Sequence, residues 1–223
     1  MCVLSTQSAR SRTVLGRQNE GESSVGPIAR GRRPGTLGGK GVSTNPLRRY
    51  LREDSLPHFF CSGCGAAQVM NYFLRAADEI ELDFDNLVAI GGVGCAARIP
   101  AYLNAEGLHG IHGRRLPWAT GIKLHNPDLD VVIFSGDGDA AAIGGNHLIQ
   151  AARRNLDVTM IVVNNLNFGM TGGQMAPTTL TGLRTTTSPF GTVENPFDLC
   201  RLATAAGATY VGRWTTDRPR QAV

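Results

Sequence analysis

Two polar strand ends, 28 residues apart, constrain this chain more than any other feature in it. Gly136-Asp137-Gly138-Asp139 follows the apolar run Val131-Val132-Ile133-Phe134, and Asn164-Asn165-Leu166-Asn167 follows a second apolar run over 158–163. Runs this short, apolar at every position and stopped by Gly, Asp or Asn, read as strands buried on both faces, as in a parallel sheet covered by helices. Two more fit the pattern: Leu87-Val88-Ala89-Ile90 before Gly91-Gly92, and the segment 208–211. Helical patterns fall between them at 66–79, 117–124, 141–155 and 196–206. The alternation predicts an α/β fold with a doubly wound, mostly parallel sheet, and it places any ligand beyond the carboxyl ends of the strands.

Asp137 and Asn165 each stand where a strand ends, so their side chains can converge. A carboxylate, an amide oxygen and a main-chain carbonyl are hard oxygen ligands of the kind Mg²⁺ takes alongside phosphate. Gly136 and Gly138 let the backbone approach a diphosphate, and a helix starting near Ala140 would aim its N-terminal amides at that anion. By itself, Gly-Asp-Gly is also an ordinary strand-ending turn.

The cysteines form a second constellation. Cys61-Ser62-Gly63-Cys64 is a CxxC turn, and Cys95 follows a predicted strand and its glycines. Two thiolates at that spacing make half of a tetrahedral sulfur site, either zinc or iron–sulfur. Five cysteines in 223 residues do not resemble a disulfide framework, so a reducing compartment is expected. The pattern 197, 200, 203 puts Cys200 on one face of a helix, where a buried structural thiol is the commoner role.

Charge is distributed unevenly. The net charge of +4 belongs to residues 1–44, which hold seven Arg and Lys against two Glu, leaving the remainder at −1. The basic balance is therefore no argument for nucleic-acid binding by the body of the chain. Residues 1–44 lack hydrophobic periodicity and are expected to be a disordered basic tail, either an organelle transit segment or a mis-called start. Residues 45–223 are expected to form the folded domain. No apolar run reaches the ~18 residues needed to span a membrane, and a cytoplasmic location is expected.

Taken together the motifs resemble the β subunit of 2-oxoacid:ferredoxin oxidoreductases. The matching pieces are CSGCG (61–65), GVGCAARIP (92–100), HGR (112–114), ATGIKL (119–124), GDGD (136–139), GGNH (144–147), RRN (153–155) and NNLNFGMTGGQ (164–174). RTTTSP (184–189) and NPFD (195–198) resemble the 2-oxoglutarate branch. The pair GDG and NN resembles the thiamine-diphosphate signature, which implies side-chain oxygens of Asp137 and Asn165 and the main-chain carbonyl of Asn167 on Mg²⁺.

The same resemblance implies that Gly94, Cys95, His112, Gly138, Asp139, Gly169 and Met170 line thiamine diphosphate. It implies a 4Fe–4S cluster on Cys61, Cys64 and Cys95, with a fourth cysteine in a C-terminal segment that the sequence lacks, so a domain incomplete at its C-terminus is expected. His112, expected on a short strand between Gly110 and Gly113, would donate a hydrogen bond to the diphosphate. Arg98, where relatives carry Lys, would hold the distal carboxylate of a 2-oxo diacid as a bidentate fork. The implied reaction is oxidative decarboxylation of a 2-oxoacid, 2-oxoglutarate in this branch, to an acyl-CoA, with coenzyme A as acceptor, electrons passed to ferredoxin, and an α subunit as partner. Competing readings are a non-oxidative thiamine-dependent decarboxylase or carboligase, which needs no cluster, and a zinc-stapled binding module.

Overall fold

A computed structural model describes the backbone of residues 2–5 and all of residues 45–223. In chain order the strands are β1 (Cys2–Ser5), β2 (Leu87–Gly91), β3 (Glu106–His109), β4 (Asp130–Gly136), β5 (Thr159–Val163), β6 (Asn167–Phe168), β7 (Gln174–Met175) and β8 (Tyr210–Arg213). The α-helices are α1 (Gly65–Glu79), α2 (Arg115–His125), α3 (Gly145–Arg153), α4 (Leu199–Ala205) and α5 (Pro219–Ala222). Six strands form one sheet in the order β3–β2–β4–β5–β1–β8, while β6 and β7 pair as a separate hairpin. The four strands β3, β2, β4 and β5 run parallel; β1 lies antiparallel to both β5 and β8.

The central strands carry apolar side chains on both faces because helices cover both. In β4, Val131 and Ile133 join the core that holds Leu116, Ala119, Leu148, Leu199 and Ala203 from α2, α3 and α4. Val132 and Phe134, one residue out of step, join the opposite core with Val69, Met70 and Leu74 of α1. That split is the period-2 alternation of a strand sandwiched between two helical layers. Helix α1 buries Ala66, Val69, Met70, Leu74 and Ala77, a stripe at three- and four-residue spacing. Parallel strands end on the same side, so Gly91, Gly136 and Val163 bring their following loops together there.

Several expectations need correction. Residues 2–5, assigned to the disordered tail, form β1: Cys-Val-Leu-Ser supplies a short segment of strand-forming character that pairs on both edges. Met1 and residues 6–44 lie outside the described residues. The strand expected between Gly110 and Gly113 lies earlier, at β3, and 110–113 is a turn closed by Gly113 at φ +72°. The helix expected over 141–155 is split. A π-helical turn occupies Asp139–Ile143 and the α-helix proper starts at Gly145, with Gly144 at the junction. A π turn directly after a strand tip is a common signature of a functional site.

Candidate functional site

Asp137 is almost fully buried at the tip of β4. Its Oδ2 accepts a hydrogen bond from Thr178, and it also draws on the backbone N–H groups of Gly138 and Leu166. Burial pushes its carboxyl above the usual range, and these bonds act against that rise. One terminal atom of the Asn165 side-chain amide stands 2.8 Å from Asp137 Oδ1 and 3.0 Å from the Asn167 carbonyl oxygen. As nitrogen, that atom donates to both oxygens and satisfies all three groups. Rotated by half a turn, the amide would present its oxygen there instead and complete a set of oxygens suited to a cation. Neighbouring ligands of an octahedral ion with bonds of about 2.1 Å stand about 3 Å apart, which matches these separations.

The backbone is bent to make this arrangement. Leu166, between the two asparagines, adopts φ +64°, a left-handed conformation that a branched residue takes only when its surroundings impose it. Thr179 secures that bend: its hydroxyl donates to the Leu166 carbonyl at 2.6 Å and accepts from the Ala176 N–H at 2.9 Å. Thr178 and Thr179, both buried, were not singled out in the sequence. Their signal was a pair of hydroxyls in Ala176-Pro177-Thr178-Thr179, a little beyond the asparagines. Gly138 is required by contact, since a Cβ there would lie 2.3 Å from the Phe168 ring.

Two residues on, Asp139 is also buried but faces the other way. Its Oδ1 accepts from the Gly113 N–H at 2.5 Å and lies 2.7 Å from His112 Nδ1. Its Oδ2 meets the guanidinium of Arg115, whose other amino group donates to Ser135 Oγ at 2.6 Å. Arg115 is the largest fully buried side chain among the described residues, and burial pulls it down to about 9, still cationic at neutral pH. Burial, and then the charge of Arg115, hold His112 below the ordinary imidazole range. Gly92 makes room for this pair, because a Cβ there would lie 2.2 Å from Arg115 Nη1. Asp139, read from the sequence as a cofactor contact, therefore spends its carboxylate inside the protein. Arg115 was missed. Its clue was a second consecutive arginine at a helix start with no acid in the first turn, where the helix dipole disfavours a cation.

The other predicted residues surround this centre. Cys61 and Cys64 sit on the turn that leads into α1, where the Cys64 N–H donates to the Cys61 carbonyl at 3.0 Å. Cys95 follows β2. Burial first, then the nearby Cys64 and Cys61, raise its thiol above the usual range, so the three sulfurs share one neighbourhood. Among the described residues no group of three or more His, Cys, Asp and Glu closes around a single metal ion. Cys64 packs against the α1 core, whereas Cys200 packs against the α2–α4 core and its Sγ accepts from Arg213 Nε at 3.3 Å. Gly94 turns the chain at φ +114° just before Cys95. Arg98 is exposed on a 3-10 turn, Ala96–Tyr102, near enough to His109 to lower that imidazole after burial has done so. Gly169 and Met170 are exposed at the tip of the β6–β7 hairpin.

The profile of one family, described as thiamine pyrophosphate enzyme, C-terminal TPP binding domain, matches residues 92–222. The chain is 56% identical over 177 residues to a 2-oxoglutarate synthase subunit KorB of Methanothermobacter thermautotrophicus, covering 79% of this chain and 62% of that protein. It is 54% identical over 179 residues to a protein of the same name from Methanocaldococcus jannaschii, covering 80% and 66% respectively. Among solved structures it is similar to a 2-oxoglutarate:ferredoxin oxidoreductase from Magnetococcus marinus with 2-oxoglutarate, coenzyme A and succinyl-CoA bound. That match has a TM-score of 0.75 and 32% identity, and covers 82% of this chain and 62% of the other. The chain thus spans less than two thirds of the length of these relatives.

Proposed function

The chain belongs to the thiamine pyrophosphate enzymes, whose C-terminal TPP-binding domain it carries over residues 92–222, and from that premise we propose that it is the cofactor-binding β subunit of a 2-oxoglutarate:ferredoxin oxidoreductase. The reaction is oxidative decarboxylation of 2-oxoglutarate to CO₂ and succinyl-CoA, with coenzyme A as acyl acceptor and ferredoxin as electron acceptor. An α subunit completes the site. The observation that carries this reading is the Asn165 side-chain amide lying 2.8 Å from Asp137 Oδ1 and 3.0 Å from the Asn167 carbonyl oxygen. It supports a Mg²⁺ site, because with the amide oxygen turned inward these groups would present the hard oxygens that Mg²⁺ takes alongside phosphate.

When bound, thiamine diphosphate supplies the electron sink for decarboxylation, and a 4Fe–4S cluster supplies the outlet for electrons. The remaining roles belong to this chain's own residues. Asp137, Asn165 and Asn167 would hold the ion, with Thr178 steadying the carboxylate. Gly138 and the π turn after it bring backbone close to the diphosphate. Gly94, Gly169 and Met170 border the cofactor. His112 stands on the Asp139 side of the same strand tips. Cys61, Cys64 and Cys95 would hold the cluster, the first two lying near enough to act on the thiol of the third. Arg98, exposed and forked, suits the distal carboxylate of a diacid.

The test has two stages. Binding of thiamine diphosphate to the chain is measured by calorimetry with Mg²⁺ and again with a chelator; binding that ignores the chelator would remove the ion from the site. The chain, assembled with its α partner, is then assayed for CoA-dependent reduction of a viologen dye across several 2-oxoacids. Preference for 2-oxoglutarate is expected. Decarboxylation without dye reduction, from a complex free of iron, would point instead to a non-oxidative decarboxylase or carboligase.

A further inference from the structure

Arg115, Asp139 and His112 form a buried relay beside the proposed cofactor site that neither the metal nor the cluster reading uses. Its members have little choice of partner. His112 Nδ1, Arg115 Nε and Nη1 and Asp139 Oδ2 are buried, and none of them makes a well-angled hydrogen bond. They face one another instead: Arg115 against Asp139 Oδ2, and His112 Nδ1 at 2.7 Å from Asp139 Oδ1. The other oxygen contact, from the Gly113 N–H at 2.5 Å, fixes the carboxylate next to the histidine's own turn. Arg115 in turn is tied to Ser135 on β4, so the relay is anchored to the central sheet.

A neutral imidazole carries its proton on one nitrogen only. With the proton on Nε2, the electron-rich Nδ1 would lie 2.7 Å from a carboxylate oxygen, which is repulsive. With the proton on Nδ1, the same contact sets a partial positive charge against the carboxylate and becomes attractive. The His112 side chain is 31% exposed although Nδ1 is sealed off, so Nε2 is the nitrogen left to meet a ligand. The Phe168 ring, 6.0 Å away in an edge contact, flanks it and also packs on Gly138.

We propose that Arg115 is a positioning residue: through Asp139 it fixes the proton of His112 on Nδ1, so that Nε2 meets the cofactor site as a hydrogen-bond acceptor. This reverses the expectation from sequence, in which His112 donates to a diphosphate. The ligand group it suits is an N–H, O–H or S–H donor of cofactor or substrate. The groups facing the ring are Asp139 and, through it, Arg115; the pull of burial and of Arg115 on His112 favours the neutral ring at pH 7. The functional meaning rests on the cofactor-site reading, whereas the position of the proton does not.

The experiment is ¹⁵N NMR of the ¹⁵N-histidine-labelled 223-residue chain at neutral pH without cofactor, with His112 assigned by the signal missing in His112→Asn. The expected pattern is that of the Nδ1–H tautomer. An Nε2–H or doubly protonated His112 overturns the proposal. Arg115→Met combined with Asp139→Asn removes both charges together, so no unpaired ion is left buried. It should shift His112 toward the Nε2–H form preferred by free imidazole; persistence of Nδ1–H would show that the relay does not set the tautomer. Ser135→Ala, a milder loosening of Arg115, is measured as well and should raise the Nε2–H share above wild type; an unchanged spectrum counts against Arg115. A chain that shows the tautomer yet binds no thiamine diphosphate would leave this inference standing and overturn the proposed function alone.

Discussion

At the scale of single residues, the site works by committing each carboxylate to one task. Asp137 and Asp139 are two positions apart on one strand tip, yet they face different partners: the Asn165 amide and the Thr178 hydroxyl for the first, the His112 and Arg115 side chains for the second. Asp137→Asn should therefore abolish Mg²⁺-dependent thiamine diphosphate binding in calorimetry while circular dichroism stays unchanged. Thr178→Val removes the hydroxyl that steadies Asp137 without touching the ion. Losses of about 10–100-fold in cofactor affinity are typical when a group behind a metal ligand is removed, and the same is expected here. Arg115→Met alone leaves the Asp139 carboxylate buried and uncompensated, at a cost of about 3–5 kcal/mol, read from the midpoint of urea unfolding. A shift of less than half a kcal/mol would mean that solvent reaches the pair.

At the scale of elements, the hydrophobic pattern made the parallel sheet and the flanking helices legible. Runs such as Val131-Val132-Ile133-Phe134 leave little alternative to a strand buried on both faces. The π turn at Asp139–Ile143 was not legible, because Ala140-Ala141-Ala142 has high helix propensity and nothing local announces an extra residue per turn. What reshapes it lies far off in sequence: Gly113 packs against Gly144, where a Cβ on either would collide with backbone. The approach of Asn165 to Asp137 was legible from spacing, whereas Asn167 came only from the family resemblance. Arg115, Ser135, Thr178 and Thr179 were not legible, because each acts through a contact that only the fold creates. Helix α4 offers a separate test. Its N-cap Asp198 accepts from the Cys200 and Arg201 N–H groups and pairs with Arg213. Asp198→Ala should cost about 1 kcal/mol. The cap, led by the Arg201 N–H, lowers the Asp198 carboxyl below its ordinary 3.8. The folded value being depressed, the stabilisation is present above pH 4 and is lost as pH falls through the folded value. Unfolding midpoints of wild type and Asp198→Asn should then converge on acidification from pH 5 to pH 2.

At the scale of the whole molecule, the two ends of the sheet are chemically different. The carboxyl ends of the strands gather the oxygens, the relay and the CxxC turn. The opposite end holds a cavity of about 340 Å³ lined by aromatic and aliphatic residues such as Tyr72, Phe73 and Trp214 and by none of the predicted site residues. No helix among the described residues is long and apolar enough to cross a membrane. The cysteines divide along the same lines. Cys61, Cys64 and Cys95 lie at the strand-tip side, near enough for the first two to act on the thiol of the third, whereas Cys200, on α4, is half-buried against the core with its sulfur engaged by Arg213. The proposed 4Fe–4S cluster on Cys61, Cys64 and Cys95 has a direct test. Anaerobic reconstitution of the 223-residue chain with iron and sulfide, in a buffer containing a small thiol, should then give a broad visible absorption and bound iron. Cys95→Ala and Cys64→Ala should each remove most of both. Cys200→Ala should leave both unchanged, because its side chain belongs to packing. A chain that takes up zinc with no iron chromophore, or one in which Cys200→Ala abolishes the chromophore, would overturn the assignment of the cluster to Cys61, Cys64 and Cys95.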